Sequence, residues 1–242
     1  KFFRQSGVDC EYVGHPLLEQ IAGYSYLNRE DFFEKYSLDK SKKILLVLPG
    51  SRKQEVSRIF PETIKGAIRL ADEFGMQVVV ACSSDINEKV FYSLTDRTGF
   101  KIIKDRTYDL YRHSEFGIIK SGTSTLEAAL FGLPMVVVYA TNRITYLIGR
   151  TLIKIDTIGL VNIVAGKKII RELIQDEVNE ENIFQVCGNI LKSREETENI
   201  KQNLKEIRTM LGTPGASARC ALIISSFLQE QGSEKLREKN NI

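Results

Sequence analysis

Phe116-Gly117-Ile118-Ile119 runs through Lys120 into Ser121-Gly122-Thr123-Ser124-Thr125, and beyond Gly132 the chain returns as Met135-Val136-Val137-Val138-Tyr139. The two apolar runs are strand-sized and lack alternation, as strands buried on both faces do. The stretch between them, 125–131, reads as a helix stopped by Gly132. A strand, a short helix and a second strand in so few residues form a parallel β-α-β unit with a right-handed crossover.

The same reading extends upstream. Ile44-Leu45-Leu46-Val47-Leu48 is a continuous apolar run ended by Pro49-Gly50. A helix follows, with Ile64, Ala67, Ile68, Ala71 and Phe74 on one face, Pro61 suited to its first turn and Gly75 to its end. Gln77-Val78-Val79-Val80-Ala81 and Phe100-Lys101-Ile102-Ile103 are further strands, with helices expected over 86–94 and 108–113. The fold class is α/β: a Rossmann-like parallel sheet with helices on both faces. Three more helices are expected near 179–191, 195–211 and 216–229, and a charged, frayed tail over 232–242. Residues 142–154 read as a basic amphipathic helix, either core-facing with a solvated cationic edge or lying on an anionic membrane surface.

Composition narrows the function classes. In 242 residues, 43% apolar and 27% charged content leaves no room for a disordered, collagenous or coiled-coil class. Thirty-four Lys and Arg against 31 Asp and Glu give +3, too even a balance to argue for nucleic acid. Cys10, Cys82, Cys187 and Cys220 stand singly, without a C-x-x-C pair or a His cluster, which suits a reducing compartment and no metal site. No apolar run reaches the 18 or so residues of a membrane span. Lys1-Phe2-Phe3-Arg4 resembles neither a translational start nor a signal segment, so a preceding region is expected.

In an open parallel sheet, ligands sit beyond the carboxyl ends of the strands. Two segments fall there. In Leu48-Pro49-Gly50-Ser51-Arg52, Gly50 permits close approach, Ser51 can donate a hydrogen bond and Arg52 can grip a phosphate. The plainer alternative is a strand-to-helix turn with a solvated Arg. In Ser121-Gly122-Thr123-Ser124-Thr125-Leu126-Glu127, hydroxyls at a helix start form a phosphate-sized cradle, and Glu127, one turn inside, could accept both hydroxyls of a ribose. The alternative is a capped helix whose Glu127 complements the macrodipole. Neither G-x-x-x-x-G-K-[ST] nor G-x-G-x-x-G occurs, so Walker-type hydrolysis and a dinucleotide fingerprint are unsupported.

Together with Tyr12-Val13-Gly14-His15-Pro16, Glu55, Pro134–Tyr139, Leu160-Val161-Asn162-Ile163-Val164-Ala165-Gly166 and Glu172-Leu173-Ile174-Gln175-Asp176-Glu177, these loops resemble the lipid-A-disaccharide synthase family. The resemblance implies the C-terminal domain of a GT-B fold with extra C-terminal helices. It divides the chain into a remnant of an N-terminal acceptor domain and linker (1–27), a UDP-sugar-binding domain (28–213), a helix crossing back (214–231) and the tail (232–242). It implies an inverting hexosyltransferase that moves 2,3-diacylglucosamine from its UDP donor to diacylglucosamine 1-phosphate in lipid A biosynthesis, with no cofactor and no bound metal. Gly50, Ser51, Arg52, Ser121, Gly122, Thr123, Ser124, Glu127, Asn162 and Gln175 are the implied donor-binding residues. The general base is unassigned and expected in the preceding domain, so this stretch alone is expected to be inactive; His15 and His113 read as structural. Further implied partners are the cytoplasmic face of a bacterial inner membrane and a second copy of the chain. A UDP-N-acetylglucosamine 2-epimerase-like enzyme and a non-catalytic nucleotide-binding module are the alternatives.

Overall fold

The expected strands all form, and their order follows from the crossovers between them. The computed structural model describes residues 6–142, 146 and 157–240, with side chains described as far as residue 229. The expected basic helix over 142–154 lies, apart from residues 142 and 146, outside the described residues.

Helix α1 spans Leu17–Ala22 and α2 Arg29–Lys35; then come β1 (Ile44–Leu48), α3 (Lys53–Phe74), β2 (Gln77–Cys82), α4 (Lys89–Ser93), β3 (Phe100–Lys104), α5 (Thr107–His113), β4 (Ser114–Lys120), α6 (Thr123–Leu130) and β5 (Met135–Tyr139). After the undescribed segment follow α7 (Leu160–Ala165), β6 (Glu172–Ile174), a 3-10 turn (Gln175–Glu177), α8 (Glu180–Lys192), α9 (Arg194–Met210) and α10 (Ala216–Asn240). The six strands form one sheet in the order β3-β2-β1-β4-β5-β6, every pairing parallel. Chain order therefore reverses between β1 and β4, the place where the loops after two adjacent strands diverge and open a crevice.

Ile44, Leu45, Leu46 and Val47 are wholly buried, as expected for a strand covered on both faces. Their cover on one side is α3, and here the expectation needs correcting: the helix starts at Lys53, so Pro61 lies inside it. An interior proline costs about 3 kcal/mol. Val56, Ile59 and Phe60, all fully buried on the added turns, outweigh it. Phe60 meets the rings of Phe91 and Phe100 edge-on at 5.1 and 5.8 Å. Gly66 lets α8 cross tightly, because a Cβ there would stand 2.6 Å from Ile183 Cγ2.

Three elements carry no clear signal in the sequence: α1, α2 and the edge strand β6, whose Glu-Leu-Ile is too short for a periodicity. The helix expected over 86–94 contracts to α4. The tail expected to fray continues α10 as helical backbone to Asn240.

Two compact units emerge, 25–208 and a second made of 1–24 with 209–242. Within the second, the first and last segments are knit together. Arg219 donates to the carbonyls of Val13 (2.8 Å), Thr213 (2.9 Å) and Pro214 (3.0 Å), Tyr12 Oη donates to Leu211 O (3.0 Å), and Ser217 N–H donates to Glu19 (2.8 Å). These bonds join segments distant in sequence. His15 accepts the Leu17 amide at Nδ1 (3.2 Å), a turn-forming role. Among the described residues no helix is long and apolar enough to cross a membrane.

Candidate functional site

The carboxyl ends of β1 and β4 open onto a cleft of about 210 Å³, lined by Gly50 and Ser51 after β1, Lys120 at the end of β4, Gly122, Thr123, Ser124 and Glu127 of the next turn and helix, and Glu55 of α3. Leu48 of β1, Ala81 and Cys82 at the end of β2, Ser83 beyond it, and Thr107 and Tyr111 of α5 complete its wall.

The first loop is organised around a carboxylate. Glu55 Oε2 accepts the Ser51 amide at 3.2 Å, and Glu55 Oε1 accepts Lys120 Nζ at 2.9 Å. Burial raises the Glu55 pKa, but the Lys120 hydrogen bond and charge, with the Ser51 and Arg52 amides, outweigh it and hold the carboxyl below its usual value. Gly50 has φ +129°, and a Cβ there would stand 2.6 Å from Glu55 Oε2. Glycine is required by both the backbone angle and the neighbour.

The second loop turns three of its four hydroxyls into the protein. Ser121 Oγ donates to Ile158 O (2.8 Å), Ser124 Oγ to Lys120 O (2.9 Å) and Thr125 Oγ1 to Gly122 O (2.8 Å), so these side chains brace the turn. The first-turn amides of Thr123 and Ser124 have no partner among the described residues and form the positive end of α6. That arrangement suits an anion.

Glu127 stands one turn deeper. Tyr111, fully buried, places its hydroxyl 3.3 Å from Glu127 Oε2 and 3.2 Å from Ser124 O. Burial raises the Glu127 pKa, and hydrogen bonds from Tyr111 and Tyr108 counter it only in part. Burial likewise pushes the Tyr108 phenol up to about 12. Both phenols therefore stay protonated and donate, leaving Glu127 an acceptor toward the cleft when ionised.

Six of the ten residues singled out in the sequence converge here: Gly50, Ser51, Gly122, Thr123, Ser124 and Glu127. Four do not line the cleft. The Arg52 side chain is 83% exposed, its Nη1 3.9 Å from Glu55 Oε1. Ser121 is buried and turned away, as described. Asn162 is 1% exposed and fully committed: Nδ2 donates to Ile170 O (2.8 Å) and Glu172 Oε1 (2.7 Å), while Oδ1 accepts the Ile169 and Ile170 amides (both 2.9 Å). Its amide is an internal staple with no capacity left for a ligand. Gln175, at φ +56°, accepts the Thr141 amide (2.7 Å) and donates to Thr141 O (3.2 Å), pinning the chain after β5. His113 holds Leu27 O at 3.0 Å through Nε2, which makes that nitrogen the protonated one; burial lowers its pKa.

Lys120, Tyr108 and Tyr111 are the site residues that sequence reasoning passed over. Lys120 did carry a signal, being the last residue of a strand at the point where the sheet order reverses. The tyrosines carried none, since their approach to Glu127 arises only when α5 packs beside α6. Among the described residues no cluster of three His, Cys, Asp or Glu side chains could hold a metal.

A family model described as "LpxB: Lipid-A-disaccharide synthetase" matches residues 1–224. The chain is 37% identical to the lipid-A-disaccharide synthase of Syntrophus aciditrophicus over 232 residues, covering 94% of this chain and 60% of that protein. It thus spans about 60% of the length of that curated relative. Among solved structures, a putative UDP-N-acetylglucosamine 2-epimerase from Listeria monocytogenes superposes with TM-score 0.58 at 15% identity, covering 90% of this chain and 53% of that one. The calicheamicin glycosyltransferase CalG4 superposes with TM-score 0.51 at 16% identity, covering 79% of this chain and 43% of that one. Those two likenesses concern the fold.

Proposed function

The chain belongs to the lipid-A-disaccharide synthase family, and on that footing we propose that its cleft binds the UDP portion of a UDP-2,3-diacylglucosamine donor. The observation carrying this reading is the pairing of partnerless amides at the start of α6 with the acceptor Glu127 one turn deeper. An anion fits the first and a pair of ribose hydroxyls the second.

In the reaction proposed for the whole protein, a hydroxyl oxygen of diacylglucosamine 1-phosphate bonds to the donor's anomeric carbon as the bond from that carbon to the diphosphate oxygen breaks. The bonding pair leaves with UDP, and the hydroxyl proton passes to a base outside this cleft. One displacement inverts the anomeric centre. This cleft's share is to stabilise the charge growing on the departing diphosphate with fixed dipoles and cations. Because donor and acceptor both carry acyl chains, the reading places the protein at the cytoplasmic face of a bacterial inner membrane.

Titration calorimetry with UDP, uridine and inorganic diphosphate tests it. UDP should bind, and Glu127→Gln should weaken UDP and uridine while sparing diphosphate. Absence of UDP binding, or equal weakening of diphosphate, would refute the assignment.

A further inference from the structure

We infer that Tyr111 is the positioning residue for Glu127. Its buried hydroxyl, shared between that carboxylate and the Ser124 carbonyl, holds the carboxylate in the orientation that accepts two ribose hydroxyls at once, and so sets a preference for ribose over deoxyribose. The inference rests on the nucleotide reading above and deepens it, adding a residue that acts through Glu127 and a sugar specificity.

The Tyr111 ring is fixed by its surroundings. The residue is 1% exposed, and its ring lies 5.6 Å from that of Phe131 and 6.4 Å from that of Tyr108. It nonetheless borders the cleft, with its hydroxyl 3.3 Å from Glu127 Oε2 and 3.2 Å from Ser124 O. A side chain already ordered by packing loses little entropy when it orders a neighbour.

A phenol has one proton to give, and here two acceptors lie within its reach. An ionised carboxylate makes the stronger, charge-assisted bond, so the proton turns to Glu127 whenever Glu127 is charged. The hold is therefore firmest in the form that accepts ribose hydroxyls. Tyr108 adds a second hydrogen bond to Glu127 but does not line the cleft. That bond remains in Tyr111→Phe, so the carboxylate there is loosened rather than left bare.

Ser124 gives the arrangement its geometry. Its amide belongs to the open first turn of α6, and its carbonyl is the other acceptor of Tyr111. One phenol thus ties the carboxylate to a residue of the anion site and fixes the span between the two. A carboxylate free to swing meets a single hydroxyl in many orientations, whereas meeting two at once requires one orientation. Loss of that orientation costs a ribose more than a 2′-deoxyribose.

The test is calorimetric titration of the unsubstituted chain, Tyr111→Phe, Glu127→Ala and the double variant with UDP, 2′-deoxy-UDP and inorganic diphosphate. Tyr111→Phe keeps the ring and its packing, and circular dichroism checks that each variant is folded. Tyr111→Phe should bind UDP roughly three- to tenfold more weakly, the range of one lost hydrogen bond, and 2′-deoxy-UDP less than about twofold more weakly. Diphosphate affinity should not change. With Glu127 already replaced, adding Tyr111→Phe should alter UDP affinity by less than about twofold, because the group it acts through is gone. A tyrosine that served the fold alone would weaken all three ligands together, and would do so again beside Glu127→Ala. Equal loss of UDP and 2′-deoxy-UDP, an unchanged UDP affinity in Tyr111→Phe, or the full loss repeated in the double variant overturns the role given to Tyr111. If the unsubstituted chain does not bind UDP, the nucleotide reading itself falls.

Discussion

Replacing Asn162 by alanine removes a side chain whose two donors and two acceptor positions are all used inside the protein. The Ile169 and Ile170 amides lose their acceptor, and Glu172 loses one of three donors, keeping the amides of Ile158 and Gly159 at 3.0 and 2.9 Å. An orphaned buried donor costs about 1–3 kcal/mol, so two amides with a weakened carboxylate network bring the loss to roughly 2–5 kcal/mol. For a domain of this size that is a fall in Tm of roughly 5–15 °C. Asn162→Asp should be destabilising too, since it keeps the acceptors but sets a carboxylate where the donor to Glu172 stood. Thermal unfolding followed by circular dichroism measures the loss, and UDP titration well below the transition measures the cleft. UDP affinity should stay within about twofold, because Asn162 does not reach the ligand. A variant that melts within about 1 °C of the unsubstituted chain yet loses UDP would refute the staple and return Asn162 to the ligand.

Gly50→Ala forces an L-residue to φ +129° and a methyl group to within 2.6 Å of Glu55 Oε2; a loss of about 2–4 kcal/mol is expected in urea unfolding, with weaker UDP binding as Glu55 and Lys120 shift. The pH dependence of Glu127 has a definite sign. Its raised pKa means that the fold favours the protonated form, so its contribution to stability is present below the ordinary carboxyl pKa and declines as pH rises through the higher folded value. Binding runs the other way, because ribose hydroxyls need the ionised acceptor. UDP affinity should therefore increase as pH climbs through that raised value, and Glu127→Gln should abolish the increase in a titration series; an unchanged profile in the variant would count against Glu127 as the group responsible.

The order in which these features could be read follows the range of the forces behind them. Four of the five expected strands were legible because burial on both faces demands consecutive apolar residues, as in Ile44–Val47 and Met135–Val138. The cleft's position followed, since strict β-α alternation with right-handed crossovers leaves few topologies. Pro61 misled because a local breaker was judged without the buried Val56, Ile59 and Phe60 that override it. Strand β6 escaped because three residues at an edge are specified by their neighbour β5 rather than by their own pattern.

Side-chain roles divided along the same line. The α/β class, the two loops beyond the strand ends, and Gly50 and Glu127 as cleft residues follow from chain-local patterns, because backbone period and loop position depend on neighbours in the chain. That Lys120 lines the cleft while the Arg52 side chain is exposed, that Ser121 and Asn162 turn inward, and that two phenols hold Glu127 emerges from packing. Those outcomes depend on which hydrogen-bond partner is nearest after packing. For Lys120 it is Glu55, 65 positions earlier in the chain, and no spacing in the sequence encodes that meeting.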